Sequence, residues 1–395
     1  MRILTSESWF GTKVSAPSKS RSELRVGIPR VLNIWSTHQL WTGFFTALGV
    51  TPDHIVFSSD TSEEQGRSFG RGTVDCCYPV KCMSGHYGEL IFGQKKKIDI
   101  LFSPLIRSMP SILSEYAVDT LACPRVMAGP ENIKAGFIKE KDVFAEQGIK
   151  YVSPLVCLAE PRLMPKQMHE GLKGAMPDLT YAESVKAVEA GYAALGRFST
   201  MARDKSRDIL DACAATGTPC ILVLARPYHM DSGIGHEIEV DLQAHGYPIL
   251  WAQYLPIDDE IMNWMFGADV ASGAIRSPFD IRDVWPSSYS SNTNEILWGA
   301  KVGAALPQVT CVIRLTSYEC GMDQPTYSPV QQIIESSGTL FFSFQDLDST
   351  KPAGSVKLRI ETIAHYLARH SPRIMAEKLQ QHATPFPLKP AIAAQ

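Results

Sequence analysis

The feature that most constrains this chain is a set of short, largely apolar runs separated by stretches of helical spacing. Pro219-Cys220-Ile221-Leu222-Val223-Leu224-Ala225 lies between Gly217 and Pro227, Val309 to Thr316 precedes Ser317, and Ile98 to Ser103 forms a third compact run. Each is too short for a helix and apolar on both faces, the pattern of a central strand in a parallel sheet. Alternation with helical segments predicts an α/β fold with right-handed crossovers, arranged as two Rossmann-like or flavodoxin-like lobes. In such sheets ligands sit beyond the carboxyl ends of the strands, so the residues that close these runs are the first candidates for function.

Taken in order, residues 1–23 carry serines and basic residues with little periodicity and read as a flexible extension. A first α/β lobe spans 24–160. It opens with a strand at Leu24 to Pro29, a helix from Trp35 to Leu48 and a strand from Asp53 to Ser58. A helix from Val80 ends in Lys95-Lys96-Lys97, extended segments follow at Val118 to Cys123 and Pro124 to Ala128, a helix opens at Pro130, and Tyr151 to Cys157 closes the lobe. Residues 161–217 form a helical connector, with Val185, Val188, Tyr192, Leu195, Phe198 and Ala202 on one stripe that reads as core packing. A second α/β lobe spans 218–348. Residues 349–395 supply a closing helix from Val356 to Arg369 and a proline-punctuated tail.

At 395 residues and 45% hydrophobic content the chain can bury more than one core. A formal net charge of -3 offers no field suited to nucleic-acid phosphates or an anionic membrane surface. No apolar run approaches the roughly 20 residues that cross a bilayer, and the start has no signal-peptide core, so a cytoplasmic protein is expected. Nine cysteines at irregular spacing suit reduced thiols better than a secreted disulfide framework.

Three cysteines stand at punctuation points: Cys77 in Asp75-Cys76-Cys77-Tyr78-Pro79-Val80-Lys81, Cys123 before Pro124, and Cys320 in Ser317-Tyr318-Glu319-Cys320-Gly321-Met322-Asp323. By spacing alone they read better as small buried hydrophobes, and Cys77-x4-Cys82 without a paired histidine motif is not a strong zinc signature. Behind the 219–225 run, Arg226-Pro227-Tyr228-His229 and Gly233-Ile234-Gly235-His236-Glu237 supply His229 and His236 as proton or hydrogen-bond donors, or as plain caps. Arg226 would steady an anion or pair with an acid such as Asp231. Lys81 and His86 would line the cleft beside Cys77. Gly233-x-Gly235 is too short for a dinucleotide fingerprint.

Gly27-Ile28-Pro29-Arg30-Val31-Leu32-Asn33, Cys77-Tyr78-Pro79-Val80-Lys81 with Gly85-His86, Arg226-Pro227-Tyr228-His229 and the Cys320 motif together resemble the domain found with acyl-CoA dehydratase activases. That domain is similar to the cluster-bearing subunits of 2-hydroxyacyl-CoA dehydratases and benzoyl-CoA reductases, and to double-cubane cluster proteins. The resemblance implies that Cys77, Cys123 and Cys320 ligate a four-iron four-sulfur cluster with one iron open. The lack of cysteine between Pro104 and Leu121 argues against a double cubane. It further implies a low-potential electron delivered by a separate ATP-dependent activase, a small substrate such as an acyl-CoA, His229, His236 and Arg226 beside the cluster, and a homo- or heterodimer. A dehydratase or reductase would follow; the rival reading is a non-catalytic accessory that docks an activase or carries a cluster. No G-x4-GK[ST] motif is present, so the ATPase is expected on another chain.

Overall fold

A computed structural model describes residues 19–72, 77–317, 320–347 and 353–389; Asp75, Cys76, Tyr318 and Glu319 of the motifs above, residues 1–18 of the expected extension and residues 390–395 of the tail lie outside them. The first half runs β1 (Val26–Ile28), α1 (Ile34–Ala47), β2 (Ile55–Phe57), α2 (Glu63–Phe69), α3 (Tyr78–Gly88), β3 (Ile100–Phe102), β4 (Leu105–Ser108), α4 (Pro124–Ile138), α5 (Val143–Gln147), β5 (Lys150–Val152) and β6 (Leu155–Cys157). Two helices follow, α6 (Met164–Leu172) and α7 (Tyr181–Thr216). The second half runs β7 (Cys220–Leu224), α8 (Ser232–Gly235), α9 (Ile238–Ala244), β8 (Ile249–Trp251), α10 (Asp259–Ser272), α11 (Ser291–Ala305), β9 (Val309–Ser317), α12 (Tyr327–Ser336), β10 (Leu340–Leu347) and α13 (Ala353–Leu379).

The mixed α/β architecture expected from the alternating runs is present, and its named sheets are parallel throughout. One has the order β2-β1-β3-β5 and another β10-β9-β7-β8, while β4 pairs with β6 in a two-stranded sheet. Both four-stranded sheets reverse their winding beside their first strand. That leaves a switch point between β1 and β3 and another between β7 and β9, where a crevice opens at the strand ends. Strands β7 and β9 are buried along their whole length, the reason their sequences read as continuous runs.

Helix α7 joins the two cores. Thr180 and Glu183 form a reciprocal capping box at its start, and Gly217 ends it in the left-handed conformation at φ 70°. Ala187, Val188 and Leu195 pack into the core of the first sheet, whereas Leu210 and Cys213 pack into that of the second. Of the stripe read from sequence, Val188 and Leu195 are core and Tyr192 packs against it, while Val185, Phe198 and Ala202 are half-buried. Helix α1 approaches α7 closely enough that a Cβ on Gly191 would lie 2.7 Å from the Leu40 carbonyl oxygen.

Several local expectations are corrected. Pro124 sits in the first turn of α4 and Pro130 lies inside that helix, so Pro124 to Ala128 is helical and not extended. Proline lacks an N–H that the first turn leaves unpaired in any case, which lets Pro124 start the helix. The turn after α3 ends at Gly93, short of Lys95, so the lysine run does not close a helix. Leu121 makes only isolated bridges, to Ser108 and Ser290. Helix α13 continues through Pro372 to Leu379, beyond the expected end at Arg369. Strand β4 was not anticipated.

Candidate functional site at the contact between the halves

At the second switch point β7 ends in Arg226, and the turn after β9 brings back Asp323. The two form a fully buried bidentate pair, Nε donating to Oδ2 at 2.9 Å and Nη2 to Oδ1 at 2.8 Å, with both side chains 1% exposed. Thr293, in the first turn of α11, also donates to Asp323 Oδ1. Arg314 projects from β9 beneath this pair, donates to the Asp323 backbone oxygen and to Thr326, and stacks over the Tyr327 ring at 3.9 Å. Burial would raise the Asp323 pKa, but the adjacent Arg226 guanidinium overcomes it and holds the carboxyl at about 2. The partner of Arg226 is therefore Asp323, not Asp231. The Cys320 thiol donates to the same carboxylate at 3.4 Å, and burial, reinforced by Asp323, raises its pKa.

His229 follows on the next turn. Its ring is buried against Tyr228 with centroids 4.9 Å apart, Nδ1 lies 3.2 Å from the Arg226 carbonyl oxygen and Nε2 lies 3.3 Å from the Ser317 hydroxyl. Burial lowers its pKa to about 4, so the ring is neutral at neutral pH. A neutral ring that gives its Nδ1 proton to the carbonyl accepts the Ser317 O–H at Nε2. At neutral pH His229 thus serves as a hydrogen-bonding group. His236 stands near enough to oppose a charge on His229, and it adopts a left-handed backbone at φ 56°.

The motif between them holds the two halves together. Asp231 accepts from the backbone N–H groups of Thr61, Gly233 and Ile234, and Tyr78 Oη donates to the Gly233 carbonyl. A Cβ on Gly233 would lie 2.1 Å from the Thr61 oxygen, and one on Gly235 would lie 2.0 Å from the His229 oxygen. Both positions need glycine for close backbone approach. His86 is buried between Ser58 and Thr61, with burial pushing its pKa down to about 3. It braces the contact. Lys81 is exposed and shares a cavity wall with Tyr78 and Cys82.

Cys77 and Cys123 occupy equivalent places, each the residue immediately before a helix that starts with proline in its first turn. Cys77 lies in one apolar cluster with Tyr228 and Ile234 of the second half, and Cys123 packs against that cluster. Tyr228 is buried; burial raises its pKa, Arg226 opposes the rise, and Cys320 and Cys77 add to it. Cys82 is a fourth thiol nearby, its pKa pushed up to about 12 by burial. The remaining described cysteines, Cys157, Cys213, Cys220 and Cys311, are buried in the cores as small hydrophobes.

The model of the CoA enzyme activase uncharacterised domain matches residues 25–255, more than half of the chain. The chain belongs to this family. No curated protein matches it. The family segment contains Cys77, Cys123, Arg226, His229 and His236 and stops before β9, so Cys320 and Asp323 come from outside it.

Among the described residues no group of three His, Cys, Asp or Glu is placed to hold a single metal ion. No helix is long and apolar enough to cross a membrane. A mononuclear tetrahedral site needs sulfurs about 4 Å apart, whereas a cubane sets its cysteine sulfurs about 6–7 Å apart. Three thiols, two of them at helix starts and the third beside Arg226, are a donor set chemically suited to iron and sulfide.

The sequence reading gave no role to Tyr228, Asp323, Arg314 or Thr293. A charged residue inside the apolar run of β9 was the available signal for Arg314, and the position three residues after Cys320 was the signal for Asp323.

Proposed function

We propose that this member of the CoA enzyme activase-associated family carries a four-iron four-sulfur cluster on Cys77, Cys123 and Cys320. In this reading it takes a low-potential electron from a separate ATP-dependent activase and passes it to a small substrate, of the acyl-CoA kind, in the manner of dehydratase and reductase cluster subunits. The observation that carries the reading is that Cys77 of the first half lies in one apolar cluster with Tyr228 of the second, two residues after Arg226, whose partner Asp323 accepts from the Cys320 thiol.

Such a cluster, when bound, supplies a one-electron carrier whose potential is set by the charge and hydrogen bonds around its sulfurs. The chain's own residues prepare that environment. The Arg226 guanidinium opposes the burial that keeps Cys320 protonated, while Asp323 neutralises Arg226 and limits the net positive charge. Tyr228 and His229, both buried, exclude water from the space between the halves. His229, neutral and oriented by the Arg226 carbonyl, presents no positive charge to an incoming group. Arg226 itself positions Asp323 and does not reach for a ligand.

The test is anaerobic purification followed by iron and acid-labile sulfide analysis, on wild type and on Cys77→Ser, Cys123→Ser and Cys320→Ser. About four irons per chain, lost in each variant, supports the reading; a folded, colourless, iron-free protein after reconstitution ends it. Reduction of the cluster by an activase and ATP without any substrate turnover would assign the accessory role.

A further inference from the structure

The tail that follows α13 is fastened to the second core. Residues 382–389 run without helix or strand against α7 and α10, and the contacts that hold them are those of a bound peptide. Phe386 is the anchor. It is 9% exposed, belongs to the core cluster that contains Leu210 of α7 and Met265 of α10, and meets the Trp264 ring edge-on at 5.4 Å. Two backbone carbonyls of the segment are held: Trp264 Nε1 donates to Thr384 O at 3.0 Å, and Arg207 Nη2 donates to Pro387 O. Arg207 is itself buried and fixed by Asp211 and by Asp258, the cap of α10. Lys389 ends the segment over three carboxylates that share one face of α7. Its Nζ lies 3.6 Å from Asp204 and 3.7 Å from Asp208, and its backbone N–H donates to Asp211 at 3.4 Å.

Pro385 and Pro387 restrict the segment to extended conformations and bring no N–H that needs a partner, so docking it orders little that was free. Proline-rich segments dock in aromatic-lined grooves for the same reason, and the acidic face of α7 favours a basic residue at one end. We propose that the groove between α7 and α10 is a peptide-binding site, which the chain's own tail fills while no partner is bound. The partner is a protein that presents an aromatic residue between two prolines, with a lysine or arginine three positions after the aromatic. The tail is tethered beside the groove by the turn at 380–381, so it competes at an effective concentration on the order of millimolar. A partner displaces it by making the same contacts with Trp264, Arg207 and the three aspartates. None of the three cysteines takes part, and the groove stands whether or not they hold a cluster.

Fluorescence anisotropy of the full chain with a fluorescein-labelled peptide of residues 382–389 tests this. Saturable binding to Phe386→Ser is expected, at least tenfold weaker to wild type, whose own tail competes, and at least tenfold weaker for the same peptide with serine in place of its phenylalanine. Lys389→Glu is the second variant, because its exposed side chain carries none of the core and the change sets the tail against the three aspartates. It is expected to keep its fold and to bind the peptide at least fivefold more tightly than wild type, with the affinity falling as salt rises. No saturable binding to the folded variants, equal affinity for the two peptides, or equal affinity of wild type and Lys389→Glu would show that the tail is a permanent part of the second core and overturn the proposal.

Discussion

Arg226 and Asp323 clamp the ends of β7 and β9 together through two parallel hydrogen bonds, and they do so with no exposure to water. Neither charge is tolerable there without the other. Asp323→Asn strands the guanidinium in the interior and is expected to cost about 3–5 kcal/mol in urea unfolding. A double replacement, Arg226→Met with Asp323→Leu, removes both charges and should recover a large part of that loss. A single variant as stable as wild type would mean that water reaches the pair.

The buried histidines make stability fall with acid. The His229 pKa is lowered to about 4 and that of His86 to about 3, so the unfolded chain binds a proton near pH 6.5 that the folded chain refuses. Their contribution is complete above pH 6.5 and declines as pH falls toward 4, on the order of 3 kcal/mol for each over that range. Asp323, held at about 2, contributes above pH 4 and is lost only below it. Urea midpoints from pH 7 to 4.5 are expected to fall more steeply in wild type than in His229→Gln. Parallel profiles would contradict a neutral His229.

Gly233 sets how closely the halves meet. Gly233→Ala places a methyl group against the Thr61 backbone oxygen, which no rotamer relieves, and is expected to destabilise by about 1–3 kcal/mol. Gly267→Ala, in α10 with open space around it, is the matched control and should be neutral or stabilising by up to about 1 kcal/mol.

Cys82 lies one turn beyond Cys77, yet burial pushes its pKa up to about 12. A thiol that stays protonated reacts slowly, since the thiolate is the nucleophile. Native alkylation with iodoacetamide at pH 8, read by peptide mass spectrometry, should leave Cys82 unlabelled until the chain is unfolded. If the proposed cluster forms, Cys82→Ala should retain its iron.

The strands were legible where burial on both faces left a continuous apolar run, as in β7 and β9, and α7 where apolar residues recur every three or four positions from Val185 to Ala202. Three-residue strands such as β3 and β5 were found only approximately. Pairing with a neighbour, not local composition, decides where so short a strand stops. Pro130 misled because proline inside a helix is costly in isolation, and α4 accommodates it where its flank packs against α3 and the Tyr151 ring, whose hydroxyl donates to the Pro130 carbonyl.

What the residues determined by themselves was the α/β class, the parallel sheets and the placing of Arg226, His229 and Cys320 behind strand ends, because periodicity and punctuation are local. Only the folded chain decided that Arg226 pairs with Asp323, 97 positions away, that Gly233 is a contact glycine against Thr61, and that Cys77 shares an apolar cluster with Tyr228. These depend on how two sheets dock, and the energy of docking lies in contacts between residues far apart in sequence.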